Sequence, residues 1–427
     1  MTKTERKYSM MTIVEFFDQI PVHNIASCLS FAPDKVIFLG EGKQIQKKLA
    51  IYETIARDHG METVFERRSI NRNELENIVA VLSEIVEQED QCCFDLTGGE
   101  DLAMVAMGIV YEKYRGEKSI QLHRFNIGTG SLTDCDKDGS IPPVPFKPQL
   151  SVRDCIALYG GAIIPYDGVY GTYAWHMDED IEQAILSMWR MCQQNPGEWN
   201  PVVTTMTVLS AFYSTDEDPL CVFGSMYRVE EKMKELRLPF CWTRPLIDKL
   251  RRLSLIQDYH EDDDTVAFRF KNEQVKMCLT KAGTILEMVV YYHAVHALNK
   301  DQTPRFTDAA PGVFVDWDGV LHDDIETKQD TENEIDVILM KGLVPIFISC
   351  KNGFVDEEEL YKLNTVAERF GGPYARKVLV MTYAAKQSVR SNHHFEQRAG
   401  DLRIQLIENV GQMDEAEFAR EIRRIVC

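Results

Sequence analysis

The sequence predicts an α/β protein built in three parts, and three observations carry that prediction. From residue 11 to 126, short apolar runs alternate with helically spaced ones, the pattern of a doubly wound parallel sheet. The stretch KDGSIPPVPFKPQL, residues 137–150, breaks the pattern with prolines and polar residues and reads as a linker. From residue 277 the order is helix, strand, hairpin, helix, strand, helix, an αβββαβ unit. The boundaries that follow are 1–145, a linker and helical spacer at 146–275, and 276–427.

Composition sets limits on function. A chain of 427 residues, 44% of them hydrophobic, can fill two or three cores. No apolar run approaches the roughly 20 residues that cross a bilayer. The N-terminal MTKTERKYSMM is too polar and short for a signal peptide, so no membrane partner is expected. Eleven cysteines, an odd number without a C-x-x-C pair, read as reduced thiols in a cytoplasmic protein. With 47 basic and 67 acidic residues the net charge is −20, which argues against gripping a long duplex on a broad basic face. A narrow basic channel beside metal-neutralised carboxylates stays compatible with that charge.

In the first part, MTIVEFF (11–17) and KVIFLG (35–40) are strands, joined through a turn-rich loop at residues 18–24. Gly40-Glu41-Gly42-Lys43 opens a helix that runs through Ala56, and apolar spacing predicts another helix at 73–88. Cys92 to Leu96 is a strand, and Thr97-Gly98-Gly99-Glu100-Asp101 leads into the helix LAMVAMGIVYEKY. Ligands of such sheets sit beyond the carboxyl ends of the strands, where glycines let backbone amides approach phosphates. Loops 18–24, 40–43 and 97–101 have that position. The dinucleotide fingerprint G-x-G-x-x-G is absent, since Gly40-Glu41-Gly42 continues as Lys-Gln-Ile.

The second part starts with a short helix at 151–159 and a Gly160-Gly161 break, then an amphipathic helix at 180–195. Helical patterns near 202–213, 226–237 and 243–254 precede two strands, 255–259 and 265–270, joined by the acidic turn 260–264. Helices followed by a hairpin suggest a winged-helix-like module, with Thr243–Arg252 and its Arg244, Lys249, Arg251 and Arg252 as a recognition helix. Its acidic wing favours a spacer instead.

The third part holds the chemistry. Asn333 to Lys351 reads NEIDVILMKGLVPIFISCK, two apolar runs around a Gly342 turn, which is a β-hairpin. Alternation puts Glu334 and Asp336 on one face of the first strand, and Ser349 and Lys351 on one face of the second. Aligned, these would gather two carboxylates and an ammonium at the open end of a buried hairpin. Carboxylates hold a hard divalent cation, and a nearby lysine orients water or stabilises a crowded phosphate. The preceding helix, 281–296, buries Glu287 among aliphatic neighbours.

This hairpin resembles that of the PD-(D/E)xK nucleases, and the NEID…ISCK form resembles CRISPR-associated nucleases carrying a CARF (CRISPR-associated Rossmann-fold) sensor domain. The Q-x-P-x-x-N loop (Gln19, Pro21, Asn24) and the DLTGG turn are similar to those of CARF domains. The resemblance implies a Rossmann-like CARF sensor, a winged-helix-like middle and a restriction-endonuclease-like C-terminal domain. It implies a metal-dependent nuclease of type III CRISPR antiviral defence, a homodimer activated by cyclic tetra-adenylate, a cyclic oligoadenylate. Mg²⁺ or Mn²⁺ would serve the chemistry, on single-stranded DNA, RNA or nicked duplex. Asp336 and Glu334 would hold metal, with Lys351 as the catalytic ammonium and Glu287 and Ser349 beside them. Gln19, Pro21, Asn24, Gly40, Glu41, Gly42, Thr97, Gly98 and Gly99 would bind the activator. One departure stands out. The acid expected two residues before the lysine is Ser349, so a further carboxylate must come from Glu334, Glu287 or the run Glu357–Glu359.

Two other readings compete. Phe314-Val315-Asp316-Trp317-Asp318-Gly319-Val320 has the strand-D-x-D-G-V form of haloacid-dehalogenase-type phosphatases, against a simpler reading in which Asp318-Gly319 closes a hairpin. A sensor joined to a winged helix could also be a ligand-gated transcriptional regulator, which would leave the C-terminal constellation without a use. The histidines, including His293, His296 and the adjacent His393-His394, lack zinc-site spacing.

Overall fold

The structure is a computed structural model that describes residues 10–135, 147–215, 217–321, 332–383 and 394–425. Most of the linker expected at 137–150 and His393 lie outside the described residues.

The N-terminal part contains β1 (Met11–Phe16), α1 (His23–Phe31), β2 (Lys35–Gly40), α2 (Gly42–Asp58), β3 (Val64–Ser69), α3 (Leu75–Gln88), β4 (Gln91–Asp95), α4 (Asp101–Tyr114), β5 (Ser119–Asn126) and β6 (Ser131–Asp134). The sheet order is β3-β2-β1-β4-β5-β6, parallel except for the last pair. The chain winds outward from β1 in one direction, then returns to β4 and winds in the other. The switch between β1 and β4 therefore opens a crevice at their carboxyl ends, where loops 18–24 and 97–101 lie. The turn-rich reading of 18–24 is right only as far as Val22, since α1 starts at His23. All nine residues of α1 are buried.

The middle part runs α5 (Val152–Leu158), β7 (Ala162–Ile163), α6 (Glu179–Gln194), α7 (Pro196–Tyr213), β8 (Cys221–Ser225), α8 (Met226–Glu235), α9 (Arg244–Arg252), β9 (Ile256–Glu261), β10 (Thr265–Phe270) and α10 (Glu273–Thr280). A three-stranded antiparallel sheet, β8-β10-β9, carries the expected hairpin plus one strand the sequence hid. α5 is fixed by a capping box in which Ser151 and Asp154 serve each other's backbone N–H groups. Asp154 also lies 3.1 Å from Nε2 of His59, the residue that follows α2.

The C-terminal part contains α11 (Thr284–Val295), β11 (Asp308–Asp316), β12 (Glu332–Lys341), β13 (Val344–Lys351), α12 (Glu358–Gly371), β14 (Arg376–Met381), α13 (Phe395–Asp401), β15 (Ile404–Ile407) and α14 (Glu415–Arg423). Its sheet order is β15-β14-β13-β12-β11-β7, parallel from β15 to β13 and antiparallel beyond. β7, from the middle stretch, thus forms the edge of the C-terminal sheet. Gly342, at φ +62, takes the first of two turn positions between β12 and β13.

Burial explains how the parts hold together. One apolar core joins the α1–α2 side of the first sheet to the α5–α12 side of the second, through Ile13, Phe17, Ile25, Ile156, Phe347 and Phe370. A second core packs α6, α7, α10 and α11 onto the far face of the C-terminal sheet through Trp199, Leu286, Val337 and Ile348. α3 and α4 cover the outer face of the first sheet.

Candidate functional site

The hairpin brings its polar residues to a point where the sheet changes phase. Ala310, Ile338 and Met340 face the shared core, and so do Val313, Val315 and Ile335, so even and odd positions share a face. The two-residue alternation therefore slips by one between Gly312, at φ +56, and Asp336. β12 and β13 also part there, their ladder ending at Val337–Ile348. The N–H of Cys350 donates instead to Asp336 Oδ2, at 2.6 Å, and the Ser349 hydroxyl reaches the same oxygen at 3.3 Å. Lys351 Nζ stands 3.9 Å from Asp336 Oδ2 and 2.9 Å from Glu359 Oε2 of α12. Glu334 lies across from Phe314 and pairs with Lys281, whose ammonium also sits 5.3 Å from the Phe314 ring. Glu334, Asp336, Ser349, Lys351 and Glu359 line one cavity of about 120 Å³.

Electrostatics at this mouth are crowded. Burial pushes the Glu287 carboxyl up to about 8, with the charges of Asp336 and Glu334 adding to the rise against Lys281 and Lys351. Burial likewise raises Asp336 despite Lys351 and the Cys350 N–H. Lys351 goes the other way: burial opposes its charge, but Asp336 and Glu359 win and hold its pKa above the ordinary value. Glu287 and Asp336, both raised by burial and by the charge of Glu334, belong to a donor set a hard cation would relieve, and hard oxygen donors suit Mg²⁺ or Mn²⁺. As they stand, no three metal-ligating side chains converge on one ion among the described residues. Glu334 in particular must give up Lys281 to reach one.

Of the predicted catalytic residues, Asp336, Lys351, Glu334 and Ser349 line one cavity, while Glu287, outside its lining, is near enough to feel their charges. Glu359 and Lys281 complete the surroundings. Lys281 was hidden because its pairing depends on where the turn between α10 and α11 meets β12, which no local spacing records.

The crevice of the N-terminal sheet holds a cavity of about 330 Å³ lined by Phe16, Asp18, Gln19, Ile20, Arg72, Gly99 and Glu100, among others. Asp18 organises it. Its Oδ2 accepts the Gly99 N–H at 3.0 Å, its Oδ1 accepts that of Ile20 at 2.7 Å, and His23 Nδ1 lies 3.4 Å away. Burial opposes ionisation of Asp18, yet His23 and these two N–H groups bring its carboxyl down to about 2. A Cβ on Gly98 would stand 2.8 Å from Asp18 Oδ2, and Gly99 is at φ +116 with Phe16 3.0 Å from its Cβ position. These glycines let the loop close onto Asp18.

Several expected ligand residues have other work. Asn24 is 1% exposed. Its side chain accepts the Asp18 N–H at 2.7 Å and donates to Asp18 O at 2.9 Å and to Tyr52 at 3.0 Å, so it cannot serve a ligand as it stands. Pro21 is buried. Thr97 is tied to Asp95 and receives the Phe125 N–H at 2.8 Å. Gln19 and Gly99 do line the cavity; Gly40, Glu41 and Gly42 do not, Gly42 O accepting from Arg67 at 2.5 Å. Arg72 is the cation missing from the expected set. It pairs with Glu100 at 2.8 Å and donates to Phe17 O at 3.4 Å.

The rival motifs have structural roles. Asp316 is 0% exposed, and its Oδ2 accepts the N–H groups of Asp318, Gly319 and Val320, so it caps a turn and offers no accessible nucleophile. β11 and β12 do pair antiparallel, but residues 317–331 lie between them, so Asp318-Gly319 is a turn at the end of β11 and not a tight hairpin turn joining the two strands. On α9, Arg244 pairs with Glu261, Arg251 with Asp248, and Lys249 with Gln194, while Arg252 donates to Asp248 O. That leaves the expected recognition helix engaged within its own module.

No protein-family model and no curated protein matches the chain. Two solved structures are similar over nearly their whole length. Protein VC1899 from Vibrio cholerae is 18% identical with a TM-score of 0.67, over 97% of this chain and 96% of that one. Can2 from Sulfobacillus thermosulfidooxidans, solved in complex with cyclic tetra-adenylate, is 13% identical with a TM-score of 0.62, over 98% and 99%. The likeness is one of fold, and it runs from end to end.

Proposed function

We propose that the protein is a metal-dependent nuclease of type III CRISPR defence, switched on by cyclic tetra-adenylate. The carrying observation is Asp336 and Lys351 meeting at the mouth of a parted hairpin among further carboxylates, within the full-length fold of a protein that binds this nucleotide. The N-terminal crevice is the activator site. Arg72 faces the phosphates, and exposed Gln19 reaches a base or ribose, while Asp18 and Asp95 hold the Gly99 and Thr97 amides and so shape the loop. A ring with internal symmetry fits best on a two-fold axis, so the active species is a homodimer. Val105 and Ile109, about half exposed on the outer face of α4, supply an apolar stripe for that dimer beside loop 97–101.

At the C-terminal mouth, Asp336, Glu334 and Glu287 would hold Mg²⁺ or Mn²⁺. Such an ion lowers the pKa of a bound water and neutralises phosphate charge. Lys351, kept ionised by its two carboxylate neighbours, stabilises the charge that builds on the scissile phosphate. Asp336 fixes Lys351 relative to the strand through the Cys350 N–H. Substrates are single-stranded DNA, RNA or nicked duplex. No described helix is long and apolar enough to cross a membrane, and the ten described cysteines are unbridged, in keeping with a reducing cytoplasm. The test is incubation of purified protein with each nucleic acid, with and without cyclic tetra-adenylate and Mn²⁺. Cleavage needing both additions supports the reading; no cleavage, or cleavage indifferent to the nucleotide, overturns it.

A further inference from the structure

The position two residues before Lys351 carries Ser349, a hydroxyl that bonds Asp336 and contributes no charge. The hairpin mouth is thus one acid short. α12 begins beside it with three consecutive glutamates at its start, and because successive helical residues turn by about 100° they leave in three directions. Glu357 faces Arg398, 3.4 Å away. Glu358 extends into solvent and pairs with Lys362 at 3.2 Å. Glu359 turns inward, lines the cavity with Asp336 and Ser349, and meets Lys351 Nζ at 2.9 Å.

We propose that Glu359 supplies the metal-ligating carboxylate that Ser349 lacks. The assignment rests on the metal-nuclease reading above and selects one of three neighbouring acids. Lys351 marks the place: its ammonium is shared by Asp336 and Glu359, at 3.9 and 2.9 Å, so both carboxylates already face one cationic point. A divalent ion bound between them would release the ammonium toward the phosphate. A glutamate on the first turn of a helix reaches the same cavity as one on the strand, because α12 packs its Leu360 and Leu363 against the core that backs β13. A purely structural Glu359, serving only to hold Lys351 in place, is the alternative the experiment must separate.

The experiment is Mn²⁺ binding by the full-length protein without nucleic acid, read as loss of the free-ion signal in electron paramagnetic resonance. Glu359→Gln should weaken binding by at least about tenfold. Adding Ser349→Glu to it should restore binding to within about threefold, since the acid is returned from the strand. Glu358→Gln, in solvent, should change nothing. Lys351→Met is the discriminating control: with Glu359 as a ligand, it removes a competing cation and leaves Mn²⁺ binding intact or tighter. Glu359→Asp, with a shorter reach and an unchanged charge, covers the case in which the glutamine variant fails to fold and should lie in between. Glu359→Gln binding like wild type, an unrescued double variant, or Lys351→Met weakening binding as much as Glu359→Gln would each overturn the assignment. Absence of Mn²⁺ binding in the wild-type protein would overturn it together with the metal-nuclease reading, whereas equal binding by wild type and Glu359→Gln would overturn it alone.

Discussion

His23 Nε2 and the Tyr374 hydroxyl are hydrogen-bonded at 2.8 Å across 351 residues of sequence. The other ring nitrogen of His23 faces Asp18, which holds the Gly99 N–H at the rim of the N-terminal crevice. Tyr374 sits in the turn that follows α12, the helix that sends Glu359 to Lys351. Hydrogen bonds therefore tie the N-terminal crevice to the turn at one end of α12, the helix whose other end carries Glu359.

Tyr374→Phe should leave nucleotide affinity nearly unchanged and reduce nucleotide-stimulated cleavage. The expected loss is about 1–2 kcal/mol of coupling, on the order of tenfold in stimulation. A cycle with His23→Ala checks it, because two directly hydrogen-bonded residues give non-additive effects. Full stimulation in Tyr374→Phe would remove this contact from the signal.

Asp336→Ala should abolish cleavage while nucleotide binding survives, since the crevice and the hairpin share no side chain. Lys351→Ala should cost about 2–4 kcal/mol of transition-state stabilisation. Ser349→Glu in the otherwise wild-type chain should keep activity if the cavity admits the longer side chain. Single-turnover cleavage rates with saturating nucleotide measure all three, and a fully active Asp336→Ala protein would defeat the active-site assignment.

Gly98→Arg or Gly99→Trp should eliminate nucleotide activation, because a Cβ at either position already presses on Asp18 or Phe16. Arg72→Ala should weaken the nucleotide without closing the crevice. Calorimetric titration with cyclic tetra-adenylate checks both, and Mn²⁺ binding should be untouched in all of them. Undiminished activation with loop 97–101 blocked would put the sensor site elsewhere.

Metal-free protein should lose stability as pH rises toward 8, and Glu287 is the reason. Its folded pKa, about 8, is above the ordinary value of 4.5, so the folded state holds an extra proton between those values. The stabilising contribution is complete below pH 4.5 and drains away as pH climbs through 8, at up to about 1.4 kcal/mol per unit. Glu287→Gln mimics the protonated acid and should flatten that decline. Melting curves between pH 6 and 9 in the presence of a chelator measure the difference; identical slopes would mean that Glu287 ionises freely in the folded protein.

The C-terminal site was legible because strand alternation is a rigid ruler: Asp336 and Lys351 could be brought together from spacing and one glycine turn. The ruler failed only at the Gly312–Asp336 slip, where Glu334 turned toward Lys281. Glu359 could be narrowed to one of three acids and no further, since the phase of a helix depends on where its first turn begins. In the N-terminal crevice the signal was weaker. Asn24 was expected as a ligand residue from its place in the Q-x-P-x-x-N loop, but the buried α1 takes it inside. Arg72 lies in an undistinguished polar loop and becomes visible only when that loop folds over Phe17. β3 and β8 escaped notice because VFERRS mixes charge into its alternation and CVFGS is short.

The shared core around α1 has a consequence for how this protein can be altered. With all nine residues of α1 buried and its apolar side chains in the core that both large sheets share, the N- and C-terminal parts are halves of one folding unit and not beads on a string. Grafting the N-terminal part onto another enzyme would strip one wall from that core and part His23 from Tyr374. Heat should accordingly melt both halves in a single cooperative step, and a nucleotide seated in the crevice should protect the backbone of the distant catalytic sheet from hydrogen exchange.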